Sequence, residues 1–165
     1  MNRLAVRQWQ RSENSVRKPS PAAISAWARL IRVQETVLGM VERDLKKAGL
    51  PPLAWYDVLL ELSRREHGAM RPNELEKHML LPQYSMSRLV DRMAEAGYVE
   101  RMVCPMDGRG QFVGITASGR ALQKKMWPVY AAAIERHVGA KLTNAEAEDL
   151  AGLLGKLGES MIRSN

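Results

Sequence analysis

Between residues 83 and 115 the spacing of apolar side chains changes from that of a helix to that of a strand pair. Met86, Leu89, Val90 and Met93 recur at steps of three and four, which is one face of a helix over about 83–96. Gly97 closes that run. Residues 98–103 and 111–115 then read as two strands. They are joined by CPMDGRG, a stretch dense in turn residues: Pro105, Asp107-Gly108 and Gly110. A short helix that runs straight into a tight strand pair cannot bury its apolar face alone. The rest of the chain has to supply the core.

The flanks do so with helices. Ser20-Pro21 is a helix entry, a capping hydroxyl followed by proline in the first turn. From there to Ala48, Ile24, Trp27, Leu30, Ile31, Val37, Leu38, Val41 and Leu45 mark a long amphipathic helix, stopped by Gly49 and Pro51-Pro52. A second helix is expected over 53–65. A break at 66–70 leaves room for one very short strand, and Pro72 opens a short helix over 73–79. After the strand pair, Thr116 begins a long helix to about Val138, with Pro128 inside it as a kink or a weak point. Thr143-Asn144-Ala145-Glu146 is a capping box for a last helix from Asn144, with Leu150, Leu153, Leu154, Leu157 and Met161 as its stripe.

This order predicts a mainly α chain with a small β-hairpin wing: a winged helix-turn-helix over about 53–116. Dimerisation helices are expected at about 21–48 and 117–163. Residues 1–20 read as a basic N-terminal arm, and 21–165 as a single domain.

Composition narrows the function classes. The 165 residues carry a net charge of +7, which favours an anionic partner without naming it. One Phe, four Tyr and four Trp are too few for a stacking platform on single-stranded nucleic acid. One cysteine, Cys104, gives no disulfide framework and no four-cysteine zinc site. His67, His78 and His137 are scattered, so no metal site is expected, and no cofactor motif is present. There is no Ser-His-Asp pattern or phosphate-cradling glycine loop, so no enzyme is expected. With no apolar run of signal-peptide or membrane-span length, the simplest location is the cytoplasm, with no membrane partner.

A major groove admits one helix and is read by hydrogen-bonding side chains, Arg above all. On a helical wheel, Tyr84, Arg88, Asp91 and Glu95 lie opposite the apolar stripe. Ser85, Ser87 and Arg92 flank them, and Gln83 precedes. At the wing tip Gly108 and Gly110 leave Arg109 as a single long cation, the residue type that a narrow minor groove attracts. Asp107 would repel phosphate and is read as a brace for Arg109. The plainer alternatives are a solvated turn at the tip, and ion pairs of Arg88 with Asp91 and Arg92 with Glu95.

The run SMSRLVDRMAEAGYVERMVCPMDGRGQFVGITASG resembles the winged-helix core of the multiple-antibiotic-resistance regulator (MarR) family. The match is specific from Leu75 to Gly119, and by element order extends over Pro21 to Met161. The family's SRLVDRLE-like run corresponds to Ser87–Glu95, its G-L-V-E-R to Gly97–Arg101, its wing-tip D-x-R to Asp107 and Arg109, and its T-x-x-G to Thr116–Gly119. The resemblance implies a homodimer on pseudo-palindromic double-stranded DNA, usually a repressor, released by a small ligand or oxidant. DNA contacts are thus expected at Gln83, Tyr84, Ser85, Ser87, Arg88, Arg92, Arg101, Asp107 and Arg109. Two departures stand out. Pro82 occupies the place of the usual Ser or Thr cap of the reading helix, and Gly108 replaces the middle Arg of the tip.

The effector is not identified. In the urate-responsive branch an N-terminal-helix Trp, a second-helix Asp and two Arg form the pocket. Trp9, Asp57 and Arg101 correspond, while Leu89 stands where the first Arg is expected. The candidate ligand set is Trp9, Trp27, Asp57 and Arg101. Trp27 also reads as packing, and Asp57 as a first-turn acid on its own helix dipole. Cys104 at the wing reads as a structural thiol, with redox sensing as the alternative because Arg101 is near. The rival to DNA binding is a winged helix used only for protein contacts.

Overall fold

The computed structural model describes residues 18–80, 85–103 and 111–162. The chain resolves into two compact units, Met1–Glu35 and Thr36–Asn165. Its elements are α1 (Pro21–Lys47), α2 (Leu53–Ser63), β1 (Ala69–Met70), α3 (Pro72–His78), α4 (Met86–Glu95), β2 (Val99–Val103), β3 (Gln111–Ile115), α5 (Ala117–His137), a single 3-10 turn (Gly139–Lys141) and α6 (Asn144–Ile162). In the first unit the start of α1 is capped as expected: the Ser20 Oγ accepts from the Ala23 N–H at 3.1 Å.

The second unit is built around α2. Leu53, Val58, Leu59 and Leu62 from α2 meet Val41 and Leu45 from α1, Leu75 from α3, four residues of α4, and Leu122 and Met126 from α5 in one buried cluster. The sheet beside it has three strands, all antiparallel, in the order β1-β3-β2. The short break at 66–70 thus becomes an edge strand, and the wing is a hairpin with a third strand added. Gly68, at φ +64°, turns the chain out of α2 so that Ala69 can pair with Gly114.

The ends of the elements follow local chemistry. Thr143 and Glu146 form the capping box of α6: the Glu146 carboxylate accepts from the Thr143 N–H at 2.8 Å, and the Thr143 hydroxyl accepts from the Glu146 N–H at 3.3 Å. α5 runs unbroken through Pro128. α2 ends at Ser63, two residues short of the expected end, with Arg64 as its C-cap.

The T-x-x-G run has a physical reason. The Thr116 hydroxyl donates to the Gly97 carbonyl at 2.8 Å and accepts from the Gly119 N–H at 3.0 Å, so one side chain caps α5 and ties it to the end of α4. A Cβ on Gly119 would run into the Tyr98 carbonyl oxygen, with Ile115 and Leu59 side chains each 3.0 Å away. Gly119→Ala should therefore destabilise the fold by about 1–3 kcal/mol, as overpacking against backbone does. Urea unfolding of the two proteins checks this.

The second half of α1 is tied to the end of α5 by charge. One oxygen of Asp44 accepts from His137 Nε2 at 2.8 Å and from Arg136 Nη1 at 2.9 Å. The His137 hydrogen bond, against some desolvation and with help from Arg136, holds the Asp44 carboxyl below its ordinary value of 3.8. A folded-state value below the unfolded one means that the unfolded chain binds the proton more tightly. The stabilisation is complete above the unfolded value and is lost as pH falls through the folded one. Urea midpoints measured from about pH 5 down to about pH 3 should fall less steeply for Asp44→Asn than for the wild type.

Candidate nucleic-acid interface

α4 is short and two-faced. Met86, Leu89, Val90 and Met93 are buried, the last two completely. Ser87, Arg88, Asp91, Arg92 and Glu95 face solvent. The helix begins at Met86 and not at residue 83. Its N-cap is Ser85, whose Oγ accepts from the Arg88 N–H at 3.3 Å. The expectation that Pro82 stands at the cap is therefore corrected: a serine does cap this helix, three residues further on. The residue type of a cap is legible at Ser85 in the sequence, and the structure adds the extended backbone that a cap requires.

The plainer reading of the two arginines is not what forms. Among the described residues neither the Arg88 nor the Arg92 guanidinium makes an ion pair, and Asp91 pairs elsewhere. The partner of Asp91 is Arg101 on β2. Its Nη2 lies 2.7 Å and its Nε 3.2 Å from Asp91 Oδ1. Nη2 also reaches the Ser87 carbonyl at 3.5 Å and hydroxyl at 3.4 Å, and Nη1 the Gln111 side-chain oxygen at 3.3 Å. One guanidinium thus joins α4, β2 and β3. Arg101, expected as a DNA contact and a ligand residue, has the geometry of a brace between α4 and the strand pair β2–β3. Ser87 uses its oxygen as an acceptor and keeps its O–H to donate outward.

Asp57 is 1% exposed on α2. It is not in the first turn, which holds no acid, so the helix-dipole reading is set aside. Its Oδ2 accepts from the Leu80 N–H at 2.6 Å and so ties α2 to the chain just after α3. Burial, and then the Asp57 charge, push the Tyr130 hydroxyl above its ordinary value. Leu89, where an Arg was sought, is 2% exposed and belongs to the core. Trp27 is 65% exposed on α1 in the first unit. Gln83, Tyr84, Cys104, Asp107, Arg109 and Trp9 lie outside the described residues. Among the described residues no cluster of His, Cys, Asp and Glu could hold a metal, and no helix is long and apolar enough to cross a membrane.

Two short helices over a three-stranded sheet, the second of them turning hydroxyls and two guanidinium groups to solvent, define a winged helix-turn-helix protein. A model of the MarR family matches residues 48–110. The multiple antibiotic resistance protein MarR of Escherichia coli is 30% identical over 86 residues, 52% of this chain and 60% of that protein. The chain thus aligns with somewhat under two thirds of the length of the curated relatives it matches. AbsC, a MarR family transcriptional regulator from Streptomyces coelicolor, superposes with a TM-score of 0.76 at 28% identity, over 90% of this chain and 100% of that one. A mutant of E. coli MarR complexed with operator DNA gives a TM-score of 0.70 at 26% identity, over 81% and 94%. The chain has the winged-helix fold of these MarR family structures, and its residues 48–110 are similar to that family.

The Asp91–Arg101 pair is partly exposed, at 52% and 32% of the two side chains, so its contribution to stability is small. A double-mutant cycle over Asp91→Ala and Arg101→Ala should give a coupling of about 0.2–1 kcal/mol that fades with added salt.

Proposed function

We propose that this chain is a transcriptional regulator that binds duplex DNA as a homodimer, laying α4 in the major groove and the wing along the adjacent minor groove. The observation that carries this reading is the solvent face of α4: Ser87, Arg88 and Arg92 lie together there, and neither arginine is engaged by a carboxylate among the described residues. A major groove accepts one helix and is read by such groups. The E. coli relative crystallised with operator DNA supports the choice of ligand.

The homodimer is supported by apolar surface that one chain leaves uncovered. α1 exposes Ile24, Trp27, Ile31 and Val33. α6 exposes Leu150, Leu153, Leu154 and Leu157. An exposed leucine stripe of that extent on a helix calls for a partner, and a two-fold pair places two reading helices about one turn of DNA apart. Repression, and release by a small effector, extend the proposal by kinship with the family.

Arg88 sits in the first turn of α4, within reach of base edges, and Arg92 one turn further along. Arg88→Ala should lose about 1–3 kcal/mol on the preferred duplex and less on random DNA, relaxing discrimination. Arg92→Ala should weaken both duplexes alike and lower the salt slope by roughly one unit, as a phosphate contact does. Fluorescence anisotropy of each variant on both duplexes, over a range of salt, decides the assignment. A uniform loss for Arg88, or no loss for either, would mean that another face meets DNA or that the winged helix serves protein contacts.

A further inference from the structure

Arg71 breaks a local rule. It is the N-cap residue of α3, where a side-chain oxygen ordinarily accepts a hydrogen bond from the first turn of the helix. Arginine carries donors only and cannot do this. The backbone there is extended (φ −70°, ψ 143°), as a capping residue's is, and Pro72 follows at the start of the helix, yet no side-chain cap is made. A position shaped for Ser or Thr holds a guanidinium instead. Such local conflicts mark places where something other than stability has set the residue.

The surroundings show what the guanidinium is held for. β1 pairs with β3 so that Met70 lies opposite Val113. Arg71 continues β1 past that pair, toward the end of β3 at which the wing emerges. Its guanidinium carbon stands 5.1 Å from the centre of the Phe112 ring. Phe112 pairs across the sheet with Met102, and side chains alternate along a strand, so Phe112 lies on the face opposite buried Val113. A guanidinium held over an aromatic face keeps N–H groups free to donate to the oxygens of an anion such as phosphate, with part of the ordering cost already met. Among the described residues no carboxylate pairs with it.

We propose that Arg71, held against Phe112, grips a DNA backbone phosphate beside the wing, an anchoring point separate from the reading helix. This inference rests on the reading of the chain as a duplex-DNA binder. The ligand is phosphate and not a base edge, because Arg71 stands beside the edge strand β1, away from the solvent face of α4 to which the base contacts are assigned, and a guanidinium suits the oxygens of a phosphate. Stability and binding are then set against each other at one position.

Arg71→Ser tests this through that opposition. Serine restores the missing cap, so the unfolding temperature should rise while DNA binding weakens. Anisotropy on the duplex that this protein itself selects from a random pool, and on a random-sequence duplex of equal length, should show the same fold loss on both. The ratio of wild-type to variant affinity should shrink about 3–4-fold between about 50 and about 200 mM salt, the signature of one phosphate contact. Phe112→Leu keeps the charge and removes the ring. It should weaken both duplexes about 2–5-fold, the equilibrium equivalent of an exposed cation–π contact, with the salt slope unchanged. Arg71→Ser that binds as tightly as the wild type with the same slope overturns the inference, as does a loss confined to the selected duplex. Wild-type protein that binds neither duplex overturns the DNA reading itself, and this inference with it.

Discussion

The burial of one side of α4 is the constraint on which the rest depends. A ten-residue helix has no stability of its own in water. It exists because Met86, Leu89, Val90 and Met93 fill the core, and two of them are completely enclosed. Once those four side chains are fixed, the geometry of a helix leaves Ser87, Arg88 and Arg92 no choice but to face outward. The presentation of the candidate reading face is thus a by-product of packing. The anchoring at the far end works the same way: Gly97 at φ +76° ends the helix, and the Thr116 hydroxyl bonds the Gly97 carbonyl while capping α5.

Charge is then used for position more than for stability. Arg101 contacts α4 and both long strands with one guanidinium, in an ion pair exposed enough to contribute little to folding free energy. What it does fix is the placement of α4 against β2 and β3, on which the proposed docking of helix and wing in adjacent grooves depends. By taking Asp91, it also leaves Arg88 and Arg92 without that carboxylate as a partner. Asp57 does similar work from the core side, where its carboxylate holds the Leu80 N–H just after α3.

Much of the fold was legible in the sequence because it is encoded locally. The period of apolar residues, the Ser20, Thr116 and Thr143 caps and the stops at Gly49 and Gly97 located the helices to within a few residues. Ser85 was legible in residue type only: a hydroxyl at the start of α4 suits both a cap and a groove contact, and the structure shows the cap. The rest depends on contacts between residues far apart in the chain. Asp91 and Arg101 are ten residues apart on different elements, Asp57 and Leu80 are 23 apart, and Asp44 and His137 are 93 apart. No spacing rule of helix or strand joins such pairs. Asp57 reads as a candidate ligand residue or, alternatively, a helix-dipole acid, because its burial is invisible in one sequence, and the setting of Arg71 is not legible there because it depends on Phe112 across a sheet.

Selection of duplexes by this protein from a random-sequence pool, with sequencing of the enriched fraction, tests the central claim most directly. The account predicts convergence on a two-fold symmetric site whose half-sites lie about one helical turn apart, with the wild-type preference for it over random duplex surviving near-physiological salt. A pool that shows no enrichment, or enrichment that vanishes once salt suppresses non-specific attraction, would contradict it.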